Sequence, residues 1–320
     1  YNHNRAKINW YQIDPLFSRN GSTTPENVKD SPMQSDNFMR QIVETEIFPN
    51  KARPNGQVQL MSVLDLHFNP NLRGPYNFVV NDNPYAKGLN PDGSLKDPRT
   101  RWAGVMRKIE TNDFESANID YIEFWMMDPF AQGINGNPIN NGSGGDFYIN
   151  IGNISEDILR DGQQSFENGI PVTPDNTNIA YTTWGKHPTA PPLVRAFDNN
   201  PDSRPLQDVG LDGLPNDSER VFFQDYLSEA QSVLNPDAYT QLQSDPSNDD
   251  YRFFRSTEWD AQSADILTRY TLYNGLENNS RLGEDPIETY PTANNTIPNI
   301  EDINSDNTLS TSEAYFQYRL

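Results

Sequence analysis

The sequence predicts a mainly β fold: an antiparallel, jelly-roll-like β-sandwich followed by a loop-rich, partly helical C-terminal segment. Short runs of β-branched and aromatic residues in the first half of the chain predict strands. Apolar residues at helical spacing predict helices in the last third, and the 25 Pro and 19 Gly predict many loops. We therefore expect a β-sandwich module over residues 1–175 and an acidic, loop-rich and helical segment with calcium-type loops over residues 176–320.

Two runs carry the strand prediction. In residues 146–151, Phe147, Ile149 and Ile151 alternate with polar residues, as in a strand with one face in the core. Residues 121–127 are apolar on both faces, so we expect a strand that is buried on both sides. Shorter runs bounded by Asn, Pro and Gly predict further strands over residues 63–68, 76–80 and 102–106.

The helix predictions rest on capping residues followed by apolar residues three or four positions apart. Asn followed by Pro is also favoured at a helix start, because Pro has no backbone N–H to leave unpaired there. The predicted helices run from Ser35 or Asp36 to Pro49, over residues 155–161, from Ser218 along a stripe of Phe223, Leu227, Ala230 and Leu234, from Asn235–Pro236 toward Leu242, and over residues 261–273.

The chain is acidic and has no cysteine, with a net charge of −21. Residues 198–320 hold 23 acids and 7 bases, none of them Lys, against 22 acids and 17 bases in residues 1–197. Such a charge distribution repels nucleic acid and attracts divalent cations. A loop-rich chain without disulfides is typical of bacterial exported proteins that bind metal.

No apolar run approaches the roughly 20 residues that a membrane-spanning helix needs, so we expect no direct membrane span in this segment. The chain opens at Tyr1 without Met or an apolar leader. We therefore expect it to be part of a longer exported precursor.

The sharpest motif lies in residues 302–313, which have the spacing of a twelve-residue calcium loop. Asn307 stands at position 6, where Gly is usual, and Asn is the residue next most tolerant of positive φ. The carbonyl at position 7 and the acid at position 12 also serve as ligands in such loops. The predicted ligands are Asp302, Asn304, Asp306, Thr308, Ser310 and Glu313.

Residues 208–219 form a second calcium-loop candidate. Gly213 occupies position 6, and a predicted helix leaves the loop at Ser218, as it does in loops of this kind. The spacing departs from the pattern, because position 3 has no oxygen side chain and Pro215 stands at position 8. The predicted ligands are Asp208, Asp212, Asn216 and Glu219, and the calcium is predicted to be structural.

Enzymatic motifs are absent from the sequence. There is no thiol nucleophile, no Gly-x-Ser-x-Gly elbow, no His-Glu-x-x-His zinc frame and no phosphate-binding Gly-rich loop. We therefore expect a non-catalytic protein. The alternative function is a calcium-dependent carbohydrate-binding module, in which Tyr121 and Trp125 would stack on sugar rings; we favour the interpretation that both rings are buried.

Eight stretches of the chain, taken in order, form a recognisable set. They are NWYQIDPLF (9–17), NLRGPYNF (71–78), RWAGVMR (101–107), DFESANI (113–119), GNISED (152–157), DVGLDG (208–213), EDINSDNTL (301–309) and YFQYR (315–319). No single motif is diagnostic, but the ordered set spans nearly the whole chain. Together the stretches resemble a segment of the SprA/Sov family, the outer-membrane translocon of the type IX secretion system.

The resemblance implies a structural module of a very large translocon that also serves gliding motility. It implies a place at the cell outer membrane, on its cell-surface or periplasmic face. The implied partners are other segments of the same translocon chain, a PorV-type shuttle and a plug protein, with no nucleic acid. The family has no catalytic residues to assign, and 320 residues cannot build a barrel of that size.

Overall fold

The strands of the protein pair two by two. The computed structural model describes residues 2–52, 54–111, 113–128, 145–164, 178–189, 212–250, 252–273, 301–304 and 306–320. Within these ranges the strands form three separate two-stranded antiparallel sheets. Their pairs are β1 (Lys7–Tyr11) with β2 (Asp65–Asn69), β3 (Tyr148–Asn153) with β6 (Ala314–Arg319), and β4 (Ile179–Tyr181) with β5 (Lys186–Pro188).

The antiparallel pairing of the strands agrees with the prediction, but the described residues form a mixed fold of small sheets and short helices, and not the mainly β jelly-roll sandwich that was expected. The predicted strand over residues 146–151 corresponds to β3, in which Ile149 and Ile151 are more covered than their neighbours. Residues 76–80 and 102–106 are not strands. Near the first of these runs, Asn77 Oδ1 accepts from the backbone N of Gly74 at 2.8 Å. Such local side-chain hydrogen bonds compete with a strand ladder.

Residues 121–127 are also not a strand, and their predicted burial is wrong. Tyr121 is 75% exposed and Trp125 is 61% exposed. Trp125 makes an edge contact with Phe48, whose ring centroid lies 5.7 Å away. Periodicity cannot distinguish a strand covered on both faces from an apolar segment that lies on the surface.

The helices predicted from Ser218 and Asn235 are present. The helix predicted over residues 261–273 is not continuous, because the helix Thr257–Ala261 ends at its start and only Ile266–Arg269 is helical beyond it. The predicted helix at Ser218 is two helices joined at Phe223, and the stripe of Phe223, Leu227, Ala230 and Leu234 is buried as expected. Asn235 caps the next helix, with its Oδ1 accepting from the N of Ala238 at 2.9 Å. The helices are α1 (Glu44–Ile47), α2 (Asn216–Phe222), α3 (Gln224–Gln231), α4 (Pro236–Ser244), α5 (Thr257–Ala261) and α6 (Ile266–Arg269).

Two helix predictions in the N-terminal half are wrong. Asp36 accepts a hydrogen bond from the N of Phe38 at 2.8 Å, but it thereby closes a turn and does not begin a helix. The helix observed in the predicted range is the short α1, which ends before Pro49. Residues 155–161 are irregular, because a carboxylate distant in the sequence accepts hydrogen bonds from their backbone N–H groups. The N–H groups of Ile158 and Leu159 donate to Glu301 at 2.7 and 3.0 Å.

The apolar residues form two hydrophobic clusters, and each draws on both halves of the chain. The first packs Val80, Leu89 and Leu95 against α3 and α4. The second, here called the aromatic core, packs N-terminal residues against the region of α5 and α6. Its buried members are Tyr11, Phe17, Val28, Phe254, Ile266 and Tyr270.

The helices of the structure are short. Among the described residues, none is long and apolar enough to cross a membrane.

Candidate metal centre

Three buried carboxylates converge beside the start of α2, and we call them the buried acidic cluster. They belong to Asp212, Glu219 and Asp249, which are 3%, 0% and 0% exposed. One oxygen of each lies within 4.8 Å of the others. Asp212 lies in the turn before α2, Glu219 lies inside α2, and Asp249 lies in the loop after α4.

Backbone and hydroxyl donors hold each carboxylate of the cluster in place. Asp249 accepts from the N of Asp212 at 3.1 Å and from Ser247 Oγ at 2.6 Å. Glu219 Oε2 accepts from the N of Ser247 at 3.0 Å. Asp212 Oδ1 accepts from the N of Leu214 at 2.8 Å. The three side chains are therefore oriented by the fold before any ion binds, as in sites whose ligands are fixed by outer contacts.

A close approach of backbone also shapes this site. Gly185, in the turn between β4 and β5, has a φ of +145°, and a Cβ there would lie 2.3 Å from the carbonyl oxygen of Asp212. Only Gly fits this position. The N of Lys186 then donates to the same carbonyl oxygen at 2.7 Å. The β4–β5 hairpin is thereby joined to the acidic cluster.

The charge balance of the site is negative. Lys7 is 8% exposed; its burial lowers its pKa, and the charges of Asp245 and Asp249 oppose that change. Burial and the charge of Asp245 also raise the pKa of Asp250 to about 6. Removing like charges from water costs several kcal/mol per ion, and they repel each other. A divalent cation among the three carboxylates would relieve both penalties.

The cluster contains two of the four ligands predicted in residues 208–219. Asp212 and Glu219 are brought together, and Asn216 lies one turn before Glu219 and donates from Nδ2 to Asp250 at 2.9 Å. The Oδ1 of Asn216 is buried and accepts no hydrogen bond within the part of the chain described. Asp208 lies outside the described residues.

The third carboxylate of the cluster, that of Asp249, was missed by the sequence reasoning. One local signal points to it: Asp245, Asp249 and Asp250 follow the C-terminus of α4 closely. Acids are unfavourable there, because the partial charge at a helix C-terminus is negative. A run of acids at such a place indicates a requirement other than helix stability.

The C-terminal loop curls around Asp302, which is fully buried. Its Oδ1 accepts from the N of Asp306 at 3.0 Å and its Oδ2 from the N of Asn307 at 2.8 Å. Asn304 Oδ1 also accepts from the N of Asp306, at 2.8 Å. Asn307 has a φ of +65°, the conformation expected at position 6 of the loop.

The far end of this loop is held by Glu156. Glu156 accepts from the N of Asn304 at 3.3 Å and from the N of Ser310 at 3.0 Å. Glu313, the predicted twelfth ligand, is exposed and lies 3.9 Å from Arg160. In the described ranges, Asp302, Asp306 and Glu313 do not form a group of carboxylates within 4.8 Å of one another.

The side chains of Asp306, Thr308 and Ser310 also take part in or border this turn. Asp306 Oδ1 accepts from the N and the hydroxyl of Thr308 at 2.8 and 2.6 Å. The carbonyl of Ser310 accepts from the N of Glu156 at 2.7 Å. Metal binding by this loop stays a prediction, and the buried acidic cluster is the stronger candidate.

The fold and these sites define an acidic, loop-rich protein with buried carboxylates beside α2 and in the C-terminal loop. Residues 225–320 match the family model SprA_N, described as motility related/secretion protein. The match runs from α3 through β6 and supports membership of the SprA/Sov family of secretion and motility proteins. The resemblance seen in the sequence is thereby confirmed over these residues. A comparison with curated proteins finds no match.

Proposed function

We propose that the chain is a non-catalytic structural module of an outer-membrane protein-secretion translocon of the type IX system, and that calcium bound at the buried acidic cluster stabilises it. The family match supports the secretion and motility role, and that role is consistent with a cell-envelope location. The observation that carries the calcium proposal is the burial of Asp212, Glu219 and Asp249 with their oxygens within 4.8 Å.

Calcium suits this cluster for chemical reasons. It is a hard cation that takes six to eight oxygen ligands, and it tolerates irregular geometry. Three carboxylates supply the charge, and the Asn216 side chain supplies a further oxygen one helical turn from Glu219. An ion bound only by the folded state adds about 2.7 kcal/mol of stability at a hundredfold excess over its Kd. Outside the cytoplasm even a weak site would be occupied.

The partners in this proposal are the remaining segments of the translocon chain, a PorV-type shuttle and a plug protein. The exposed apolar residues of 119–127 supply surface for such contacts. Seven large side chains there are each at least 38% exposed: Ile119, Tyr121, Ile122, Phe124, Trp125, Met126 and Met127. Exposed apolar stretches of this kind mark interaction sites in folded proteins.

The same exposure favours the second candidate function, a calcium-dependent carbohydrate-binding module. Tyr121 and Trp125 are open to solvent, and flat exposed rings are suited to stacking on sugars. Binding of the chain to a glycan array, lost in Trp125→Ala and in Tyr121→Ala, would favour this function over the translocon role.

The calcium proposal is tested by thermal melts in millimolar calcium and in EDTA. We expect the unaltered chain to melt higher in calcium. Asp249→Asn should melt lower than the unaltered chain in calcium, because a ligand charge is lost, and higher in EDTA, because repulsion is relieved. The matched control is Asp225→Asn, which removes one charge from an exposed position on α3.

Identical melts of the unaltered chain in calcium and EDTA would overturn the calcium proposal. The translocon role is tested separately, by measuring cargo secretion and gliding in cells whose translocon carries Asp249→Asn. Normal secretion, with the variant accumulated to the normal level, would show that calcium at this cluster is dispensable for the role.

A further inference from the structure

A second group of carboxylates lies where two stretches that are distant in the sequence meet. Asp157 and Asp161 come from the irregular segment after β3, and Glu301 comes from the start of the C-terminal loop. One oxygen of each lies within 4.8 Å of the others. Glu301 is 1% exposed, and the Asp161 side chain is 5% exposed.

A buried imidazole lies beside one member of this group, Asp161, although its ring nitrogens are not within 4.8 Å of all three carboxylates. His187 lies on β5 and is 1% exposed. Its Nε2 lies 3.2 Å from Oδ2 of Asp161, yet within the described ranges neither ring nitrogen makes a hydrogen bond of acceptable geometry. Buried polar atoms are almost always hydrogen-bonded, and the two atoms of this pair are placed so that they could share a ligand.

The distance between the two atoms is informative. Two ligand atoms that bind one zinc ion at about 2.0–2.1 Å in tetrahedral geometry lie roughly 3.3 Å apart. Because they share the ion, they need no hydrogen bond to each other. The separation of 3.2 Å between Nε2 of His187 and Oδ2 of Asp161 fits that arrangement.

The carboxylates of this group are held by backbone donors. Glu301 Oε1 accepts from the N of Ile158 and of Leu159 at 2.7 and 3.0 Å. Asp161 Oδ1 accepts from the N of Gln163 at 2.9 Å, on the opposite oxygen from His187. Asp157 accepts from the N of Asp161 and of Gly162 at 3.2 and 3.3 Å. His187 itself is fixed by pairing with Ala180 across the β4–β5 hairpin.

We propose that Asp157, Asp161, His187 and Glu301 form a second metal site, which takes a divalent transition metal of the zinc class. Imidazole suits zinc and its neighbours, whereas calcium prefers oxygen ligands alone. The site therefore differs in chemistry from the buried acidic cluster, and it does not rest on the proposed function. The ion would join the segment after β3, the β4–β5 hairpin and the C-terminal loop.

The competing account is an ion pair between a protonated His187 and Asp161, with no metal. Titration of the full chain with Zn²⁺ by calorimetry at pH 8, in buffer containing millimolar calcium, distinguishes the two. Calcium occupies oxygen-only sites, and a mildly alkaline pH limits competition between protons and the metal for the imidazole and carboxylate ligands. We expect one Zn²⁺ per chain to bind in the presence of calcium.

Two substitutions and two controls locate the ion. His187→Gln and Asp157→Asn should each weaken Zn²⁺ binding at least tenfold, as loss of a ligand does. His67→Gln, which removes a histidine from β2, and Asp225→Asn, at an exposed position on α3, should leave it unchanged. Far-UV circular dichroism checks that each variant is folded.

A spectroscopic readout tests the ligand set without relying on affinity. Co²⁺ added in place of Zn²⁺ should give visible absorption bands that change in His187→Gln and not in His67→Gln. Failure to bind Zn²⁺, binding that survives His187→Gln in a folded variant, or displacement of Zn²⁺ by millimolar calcium would each overturn the proposal.

Discussion

The aromatic core and the buried acidic cluster are both closed to water, but they differ in what stabilises them. In the aromatic core, Tyr11 stacks on Tyr270 with ring centroids 4.3 Å apart, and Phe17 meets Phe254 edge to face at 5.8 Å. The hydroxyl of Tyr270 accepts from the N of Asp14 at 2.9 Å. The core therefore satisfies its polar atoms and gains from apolar burial without any added group.

The buried acidic cluster contains like-charged carboxylates, whereas the aromatic core contains apolar rings. Asp212, Glu219 and Asp249 are at least as buried as Phe254, and each added charge raises the cost of burying the others. A buried charge elsewhere in the chain is balanced: the fully buried Arg269 lies 2.7 Å from Asp260. Under the calcium proposal, the aromatic core is stable by itself, whereas the acidic cluster would gain stability from a bound cation.

The largest expected effect on stability is that of a substitution in the aromatic core. Phe17 is fully buried, so Phe17→Ala should lower the free energy of unfolding by about 3–5 kcal/mol through lost burial and the cavity left behind. Because no ion takes part, the loss should be equal in calcium and in EDTA when measured by urea denaturation. Phe68→Ala, at a position 41% exposed, is the matched control. A loss confined to calcium would contradict the comparison.

Smaller losses of stability are expected in the C-terminal loop, and they should differ between its first and its last predicted ligand. Asp302→Ala removes the acceptor of two backbone N–H groups, so it should cost about 1–3 kcal/mol, with or without calcium. Glu313 is exposed and makes only a long contact to Arg160, so Glu313→Ala should cost less than about 0.5 kcal/mol. Equal losses in calcium that vanish in EDTA would instead identify this loop as an ion site.

The smallest expected effect is a pH dependence in the N-terminal sheet. Burial raises the pKa of Asp65, on β2, to about 6, although the N of Ile13 opposes the shift. Its unfolded pKa is near 3.8, so the native state binds the extra proton between these values and stability falls as pH rises through that window. Asp65→Asn should be more stable by about 1 kcal/mol at pH 8 and should lose this advantage below pH 4.

Urea denaturation at several pH values measures this difference, and Asp225→Asn serves again as the exposed control. An Asp65→Asn chain that is equally favoured at pH 4 and pH 8 would show that the carboxyl is not penalised by burial. Calcium should not change the result, because Asp65 belongs to neither carboxylate group.

Local chemistry made part of this structure predictable. The cap at Asn235, the stripe from Phe223 to Leu234 and the positive φ of Asn307 each depend on residues within one or two turns of one another. The predicted helix over residues 155–161 failed because Glu301, 142 or more positions away, accepts from its backbone. The predicted burial of residues 121–127 failed because periodicity does not show which surface a run faces.

By itself the sequence determined the acidic character of the chain, the apolar stripe from Phe223 to Leu234, the cap at Asn235, the family resemblance and two of the three acids in the buried cluster. Only the tertiary structure brought Asp249 to Asp212, 37 positions away, and His187 to Asp161. The physical reason is that capping and propensity act over a few residues, whereas the meeting of distant carboxylates depends on how helices and hairpins pack. In a chain with 45 acids, composition cannot show which of them will meet.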